Sequence, residues 1–514
     1  AYRYKSDNFT LSGQGYMDDD VLWNNMNAVT DKETYSAATG LTKRTKMSLL
    51  ARFNYNYKQR YYLTVTGRYD GSSNFAANNK WGFFPSVALK WNAAKENFLK
   101  DVRWIDELSL RLSAGRTGND AISAYRSLAA MSSTTSGYLF DGMQPGAYYR
   151  SRLASPNLTW EKTDLYNAAL DLAFFNNRLM ITAEGYISKT RDLLLTVQTA
   201  SATGYTSRYA NIGKTSNKGV ELSIESRNIV RPKFSWTTNL TIAHNKQNVD
   251  DIGSEDFVTA LSSPGNNPYM MYGYVKGYPL NALWGFKYGG TWKSVEEFER
   301  NSVTNTYVSA LAINSDAASR KASLGMPRYY DINNDGSLNN DDLVYQGNAD
   351  PDLYGGLQNN FRFGRLNFKL GVYFAYSLGG KIYNYSELYM AGSSMSNQYR
   401  YMLEAWHPVR NPQSNLPRAG AVDAHVPSDL MIYDASYIRL KNITVGYTFD
   451  LSKRSKFIRD ITLNLSAENL HIWKKYNGFD PDVSTDSSDS ALRRVDLGAY
   501  PKPRTIVFSI QLRY

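Results

Sequence analysis

The last eleven residues, Arg504–Tyr514, read "RTIVFSIQLRY". Taken two at a time, they separate into faces. Ile506, Phe508, Ile510, Leu512 and Tyr514 fall on one side; Thr505, Ser509, Gln511 and Arg513 fall on the other, with Val507 the one apolar intruder. A repeat of two is the strand period and not the helix period. The same pattern recurs upstream. In "MSLLARFNYNY", Met47, Leu49, Ala51, Phe53, Tyr55 and Tyr57 share one side, with Ser48, Arg52, Asn54 and Asn56 opposite. "RYYLTVTGRYD", "LNFKLGVYFAY", "NITVGYTF" and "ITLNLSAEN" behave alike. About thirteen or fourteen such segments occur, each near the roughly ten residues a tilted membrane strand needs.

Alternation alone does not separate a soluble sandwich from a membrane barrel. Connection lengths do. Short gaps near 58–60, 93–104, 175–178, 228–232, 364–366 and 450–456 alternate with long ones. The long ones lie near 72–80, 117–159, 193–212, 248–354, 380–435 and 471–503. Short turns on one rim and long loops on the other are the habit of outer-membrane barrels. The expected fold is therefore all-β, a transmembrane antiparallel barrel. Segment 1–42 reads as an extracellular loop or the end of a preceding strand, and 43–514 as barrel. A last strand ending on an aromatic at the short-turn rim places the C-terminus at the periplasmic face.

Composition agrees. Hydrophobic residues make up 42% and aromatics 14%, with 40 Tyr, yet mean hydropathy is −0.47. Only alternate residues of a barrel strand face lipid, so hydropathy averages out, while Tyr and Trp gather at the interfaces. No apolar run approaches the roughly 18 residues of a spanning helix, and "AYRYKSDNFT" is no signal peptide. With no Cys, disulfides and thiol chemistry are excluded. The net charge of +11 is spread through strands and loops without a basic tail, which argues against nucleic-acid binding. No catalytic residue is assigned: His244, His407, His425 and His471 lie at no metal-ligand spacing, and no nucleophile elbow, P-loop or dinucleotide fingerprint occurs.

One local motif carries chemistry. In "DINNDGSLNNDD", Asp331, Asn333, Asp335, Ser337 and Asp342 fall at positions 1, 3, 5, 7 and 12 of a calcium loop, with Gly336 at the tight turn. Oxygen donors at odd positions let one turn wrap a hard cation. Asp replaces the usual Glu at the last position, and the loop resembles dockerin repeats more than a paired EF-hand. Its Ca2+ would be structural; the bland alternative is a polar Asx-rich turn. Other loops, "YNYSELYMAGSSMSNQYRYMLEAWHPVRNP" (383–412), "TTSGYLFDGMQPGAYYR" (134–150) and "SSPGNNPYMMYGY" (262–274), are aromatic. They offer either sugar or partner contacts or plain loop packing, and packing is favoured for 383–412.

Five ordered blocks carry a resemblance. They are "GRYDGSSNFAANNKWGFFPSVALKWNAAKENFL" (67–99), "NIGKTSNKGVELSIES" (211–226) and "DINNDGSLNNDDLVYQGNADPDLYGGLQNNF" (331–361), then "ASYIRLKNITVGYTF" (435–449) and "AENLHIWKKYNGFDPDVS" (467–484). Together they resemble the SusC/RagA class of TonB-dependent outer-membrane transporters. The resemblance implies a 22-stranded barrel filled by an N-terminal plug, in the bacterial outer membrane and in contact with its lipid. It implies import of an oligomeric nutrient, oligosaccharide or peptide, driven by the TonB complex. It also implies a SusD-like surface lipoprotein as lid and a dimer of such pairs. No plug or TonB box is found in this sequence, so a missing N-terminal part is expected. The alternatives are a passive porin and a surface adhesion protein.

Overall fold

The computed structural model describes residues 2–16, 29–99, 101–135, 139, 142–143, 146–199, 201–205, 207–253, 257–259, 273–310, 316–364, 367–393, 397–421, 426–452, 457–483 and 494–514. One antiparallel sheet of 14 strands dominates, and its spatial order is its chain order. The first five strands are β1 (Tyr2–Tyr16), β2 (Val29–Tyr57), β3 (Tyr61–Ser72), β4 (Trp81–Asn92) and β5 (Ile105–Asn119). Then come β6 (Glu161–Phe174), β7 (Leu179–Arg191), β8 (Lys214–Arg231) and β9 (Phe234–Asp251). The last are β10 (Leu353–Phe363), β11 (Phe368–Leu378), β12 (Tyr437–Asp450), β13 (Asp460–Lys474) and β14 (Thr505–Arg513). Strict up-and-down order puts the connections 58–60, 93–104, 175–178, 232–233, 364–367 and 451–459 on one rim. Those at 73–80, 120–160, 192–213, 252–352, 379–436 and 475–504 sit on the other.

Register fixes what each face carries, because opposed residues of neighbouring strands point the same way. One row joins Phe53, Val65, Val87, Ala114, Tyr166 and Ile187. The next row, on the other side of the sheet, joins Asn54, Thr64, Ala88, Ser113, Asn167 and Tyr186. In the second half Leu370, Val445, Leu465 and Phe508 continue the apolar side. Ile506, Phe508 and Ile510 are 72%, 60% and 59% exposed, so no compact core encloses them. A sandwich would bury this face; a membrane wall presents it to hydrocarbon.

Aromatics bracket the apolar side. Trp81 and Trp91 stand at the two ends of β4 on the same face. Ten residues at about 3.3 Å each, tilted by about 40°, span about 25 Å, the height of an outer-membrane apolar band. Tyr69 stacks on Trp81 with ring centroids 4.9 Å apart. Near the other rim Trp236 stacks on Phe361 at 5.7 Å, and Phe363 meets Phe234 and Phe368 at 5.1 and 5.7 Å.

The structure departs from the sequence expectation in three places. Much of 1–42 is paired strand: β1 runs along residues 29–46 of β2, beyond the band that begins near Met47. The turn expected at 228–232 is shifted to 232–233, because a bulge between Arg227 and Ile229 carries β8 on to Arg231. The turn expected at 450–456 occupies 451–459.

Replacing Phe508 by Arg should cost about 2–4 kcal/mol, and replacing its inward neighbour Ser509 by Arg less than about 1 kcal/mol. Denaturant titration of full-length protein in lipid vesicles measures both. Equal losses would overturn the assignment of the two faces.

Candidate functional site

The inward side of the wall is polar and laddered with charge. Arg111 grips Asp171 with two bonds, Nε at 2.6 Å and Nη2 at 3.1 Å, and lies 3.7 Å from Glu184. Thr182 donates to Asp171 at 3.2 Å, and Lys90 pairs with Glu107 at 2.8 Å. These side chains belong to the polar phase of β4 to β7, where alternation leaves them no hydrocarbon to meet.

A cavity of about 1040 Å³ opens on this side. Glu184 of β7 and Glu221 of β8 sit directly opposite each other in its wall. Asn167 donates to Glu184, and no ion pair to Glu221 occurs among the described residues. Tyr354, Tyr373 and Tyr437 add aromatic faces, while Asp350, Asp482 and Arg494 descend from the long connections. Arg494 is held by Ser377 at 2.8 Å and by the Gly379 carbonyl at 3.2 Å. Arg439 and Asp480 form a fully buried pair at 2.6 Å that ties the 475–504 connection to β12. The set can bind a polar ligand by hydrogen bonds, charge and ring stacking; it contains no activated nucleophile.

The large buried apolar clusters lie mainly in the connections, with Phe84 of β4 the wall's contribution. Leu283, Tyr383, Tyr385, Leu388, Met431 and Val495 come together from three separate connections. Phe75, Phe84, Ile122, Leu158 and Trp160 form a second cluster beside β3 to β6. There Asp120 accepts from Arg44 at 2.8 Å, Lys46 at 2.6 Å and Ser72 at 2.8 Å. Burial pushes the Asp120 carboxyl up, and these bonds more than reverse it.

The expected helix in 383–412 is the short α1 (Tyr385–Met390), followed by a 3-10 turn at Arg400–Glu404. Tyr383 and Tyr385 are 1% and 0% exposed, and Trp406 is buried with its Nε1 bonded to the Pro412 carbonyl at 3.1 Å. Those three rings pack the loop. In 134–150, Tyr148 and Tyr149 are exposed at the rim; of 262–274, all but Gly273 and Tyr274 lies outside the described residues, as does His425. His244 and His471 point outward with the apolar phase, His471 against Trp473, and His407 belongs to a tight turn with Asn411.

The loop 331–342 turns where the motif requires, with Gly336 at φ +78 donating its N–H to Asp331 at 2.8 Å. Asp335 accepts from Ser337 at 2.7 Å and from the Asn333 amide at 2.8 Å. Both oxygens of Asp342 accept main-chain amides, Ile332 at 2.8 Å and Asn339 at 3.0 Å. Among the described residues no three acidic or His side chains converge at metal-binding distance.

Comparison with known proteins places this geometry. A β-barrel profile described as "TonB dependent receptor-like, beta-barrel" matches residues 1–320. The chain belongs to the TonB-dependent receptor β-barrel family. It is 33% identical over 487 residues to TonB-dependent receptor P3 of Formosa agariphila, covering 94% of this chain and 47% of that protein. It is 29% identical over 490 residues to TonB-dependent receptor SusC of Bacteroides thetaiotaomicron, covering 92% and 44%. The fold matches a solved structure of the RagAB peptide transporter with TM-score 0.79 at 23% identity, over 99% of this chain and 52% of that one. The chain is thus the β-barrel wall of a TonB-dependent receptor, a family of the outer membrane, and its fold is shared with the RagAB barrel. It spans about half the length of the curated relatives it matches.

Sequence reading missed the Glu184–Glu221 pair and Arg111. The available signal was charge at mid-strand in the polar phase of "MITAEGYISK" and "GVELSIES", but only register brings the two glutamates together.

Within this receptor's rim, Glu387 is 4% exposed and accepts from Asn384 at 2.9 Å and Tyr433 at 2.7 Å. Burial pushes its carboxyl up to about 7, against the pull of those two bonds and with the help of the nearby Asp496 charge. A raised carboxylate favours its neutral form, so its stabilisation is full below about pH 4.5 and is lost as pH rises through about 7. Hydrogen exchange over 383–406, corrected for intrinsic rates, should therefore show the rim loosening between pH 5 and 8 by at most about 3 kcal/mol. Glu387→Gln should flatten that dependence.

Proposed function

We propose that this chain forms the C-terminal wall, lumen and outer mouth of an energy-driven importer of an oligomeric nutrient. The observation that carries the reading is the pairing of an apolar outer wall with a polar chamber roofed by long, internally packed connections. A passive porin needs an open lumen and has little use for so elaborate a roof. The relatives are named as TonB-dependent receptors, which supports coupling to the TonB complex. Further strands and a plug would complete the cylinder. An unpaired strand edge in hydrocarbon costs several kcal/mol per orphaned group, and among the described residues β1 and β14 are the sheet's free edges.

In this reading the long-connection rim faces outward, the C-terminus lies on the periplasmic side, and a SusD-like lipoprotein closes the mouth. Exposed Met131, Tyr148 and Tyr149 on the hairpin of the 120–160 connection suit such contact, and a dimer of such pairs follows the SusC/RagA pattern. The substrate is an oligosaccharide or peptide. The tyrosines suit either, and the opposed Glu184 and Glu221 favour a neutral or cationic oligomer over a polyanion. The lid captures it, the chamber holds it through Thr182, Glu184, Glu221 and the tyrosines, and energy coupling releases it inward. No covalent step occurs.

Loop 331–342 would hold one structural Ca2+ through Asp331, Asn333, Asp335, the Ser337 carbonyl and Asp342. Asp342 would exchange its amide bonds for the cation, stiffening the longest connection.

Two measurements test these readings. Cells expressing the full-length protein with its partner lipoprotein should lose essentially all uptake of the cognate oligomer when TonB is removed or the proton gradient collapsed. Persistent uptake would mean a porin, and binding without uptake an adhesion protein. For the loop, chelator should raise the proteolysis rate of 331–342 roughly tenfold or more, and restored Ca2+ should reverse it, in the range of sites with weak to moderate affinity. Identical rates with and without Ca2+ would leave a plain polar turn.

A further inference from the structure

The outward wall is not uniform. Two adjoining recesses of about 830 and 590 Å³ cross β5 to β9 and share Ala168, Gly185, Val220 and His244. Register explains the dip. The row Leu112, Ala168, Gly185, Val220 crosses four strands, and its two middle members have almost no side chain. A Cβ added to Gly185 would meet no atom nearer than 3.9 Å, so nothing crowds the groove at that point.

Charge is arranged above this dip. One outward row nearer the long-connection rim, Lys218 and Lys246 stand directly opposite each other. Like charges so placed repel. Lys189 lies one outward row beyond, on β7. Neighbouring cations are neutralised: Arg116 and Arg191 by Asp164 at 2.6 and 2.9 Å, Lys162 by Asp192 at 3.2 Å and Lys214 by Asp251 at 2.9 Å. Lys189, Lys218 and Lys246 form no ion pair among the described residues. Tyr166 sits in the same row as the Lys pair, and along β9 Lys246 stands ten positions from Trp236, the aromatic near the other rim, about the height of the apolar band away.

We propose that this recess seats one anionic, phosphate-bearing lipid, an acyl chain lying over Ala168 and Gly185 and a phosphate between Lys218 and Lys246. A smooth apolar wall holds annular lipid without preference for headgroup. Here an open groove and an uncompensated amine pair coincide at headgroup height, and each accounts for the other: the groove directs a chain, and the phosphate relieves the repulsion above it. His244, whose Nδ1 meets the Asp352 carbonyl at 2.5 Å, closes the groove on the β9 side.

Native mass spectrometry of the full-length protein in detergent, titrated separately with dioleoylphosphatidylglycerol and dioleoylphosphatidylcholine, tests the site. One phosphatidylglycerol should be retained with about tenfold or greater preference, as expected for two lysines at a headgroup. Lys218→Ala combined with Lys246→Ala should reduce its retention to that of phosphatidylcholine. Gly185→Leu, whose Cβ meets only ordinary contacts with Val220 and the Gly219 carbonyl, should weaken retention with the lysines intact; heat-modifiable gel migration checks that both variants fold. Equal retention of the two lipids, or no effect of the lysine pair, means annular lipid only and sinks the proposal. Displacement by millimolar glycerol phosphate alone sinks it too, since the site would then read an anion and not a lipid.

Discussion

Everything in this wall follows from the absence of water in a bilayer core. Each peptide N–H and C=O placed there needs a protein partner, and the antiparallel ladder supplies one for every interior strand. The ladder then dictates chemistry residue by residue. Once Leu465 is paired with Phe508 and Asn464 with Ser509, the first pair meets lipid and the second the lumen. A shift of one residue would reverse both. The alternation in β14 is therefore the sequence's answer to a solvent that differs on its two sides.

With no apolar interior available to the strands, packing stability has moved elsewhere. The long connections of 252–352, 379–436 and 475–504 share a core in which Tyr383, Tyr385 and Met431 are almost fully enclosed. The Arg439–Asp480 pair and the grip of Arg494 on Ser377 fasten that body to the wall. A roof built this way resists water on its own terms and holds the chamber's upper lining in place. The same burial pushes the Glu387 carboxyl up, so the packing of this body depends on pH.

Fold was legible in the sequence because its determinant is local. Period two, and the rhythm of short and long gaps, can be read along one strand at a time, and "RTIVFSIQLRY" alone separates lipid side from lumen side. Boundaries were less legible where the ladder continues through a bulge, as at Arg227–Ile229, or beyond the membrane band, as along β1. The chamber was illegible for a different reason. Glu184 and Glu221 are 37 positions apart in the chain (221 − 184) and become neighbours only through the register of β7 and β8. The groove over Gly185 is likewise a property of a row across strands, and no window along the chain contains it. For the aromatic loop 383–412 packing is favoured over ligand contact, although aromatics serve both, and Tyr383, Tyr385 and Trp406 are indeed buried.

The placement of Glu184 against Glu221 also qualifies what net charge can say. The chain carries +11, yet the cavity wall is acidic, and much of the positive charge stands in other places. Lys189, Lys218 and Lys246 are on the outward phase, at the height of lipid headgroups. Arg111 leans on Asp171 first and on Glu184 at 3.7 Å only second. Two carboxylates directly opposed in a ladder destabilise it, and the wall could remove that cost by changing either residue. Nothing in the strand's own packing requires both. The cost makes physical sense if the pair meets a donor-rich or cationic group that arrives from the lumen, whether carried by the cargo or by the element that fills the barrel. Net charge thus describes the chain as a whole, while the acidic lining of the cavity is set locally by Glu184 and Glu221.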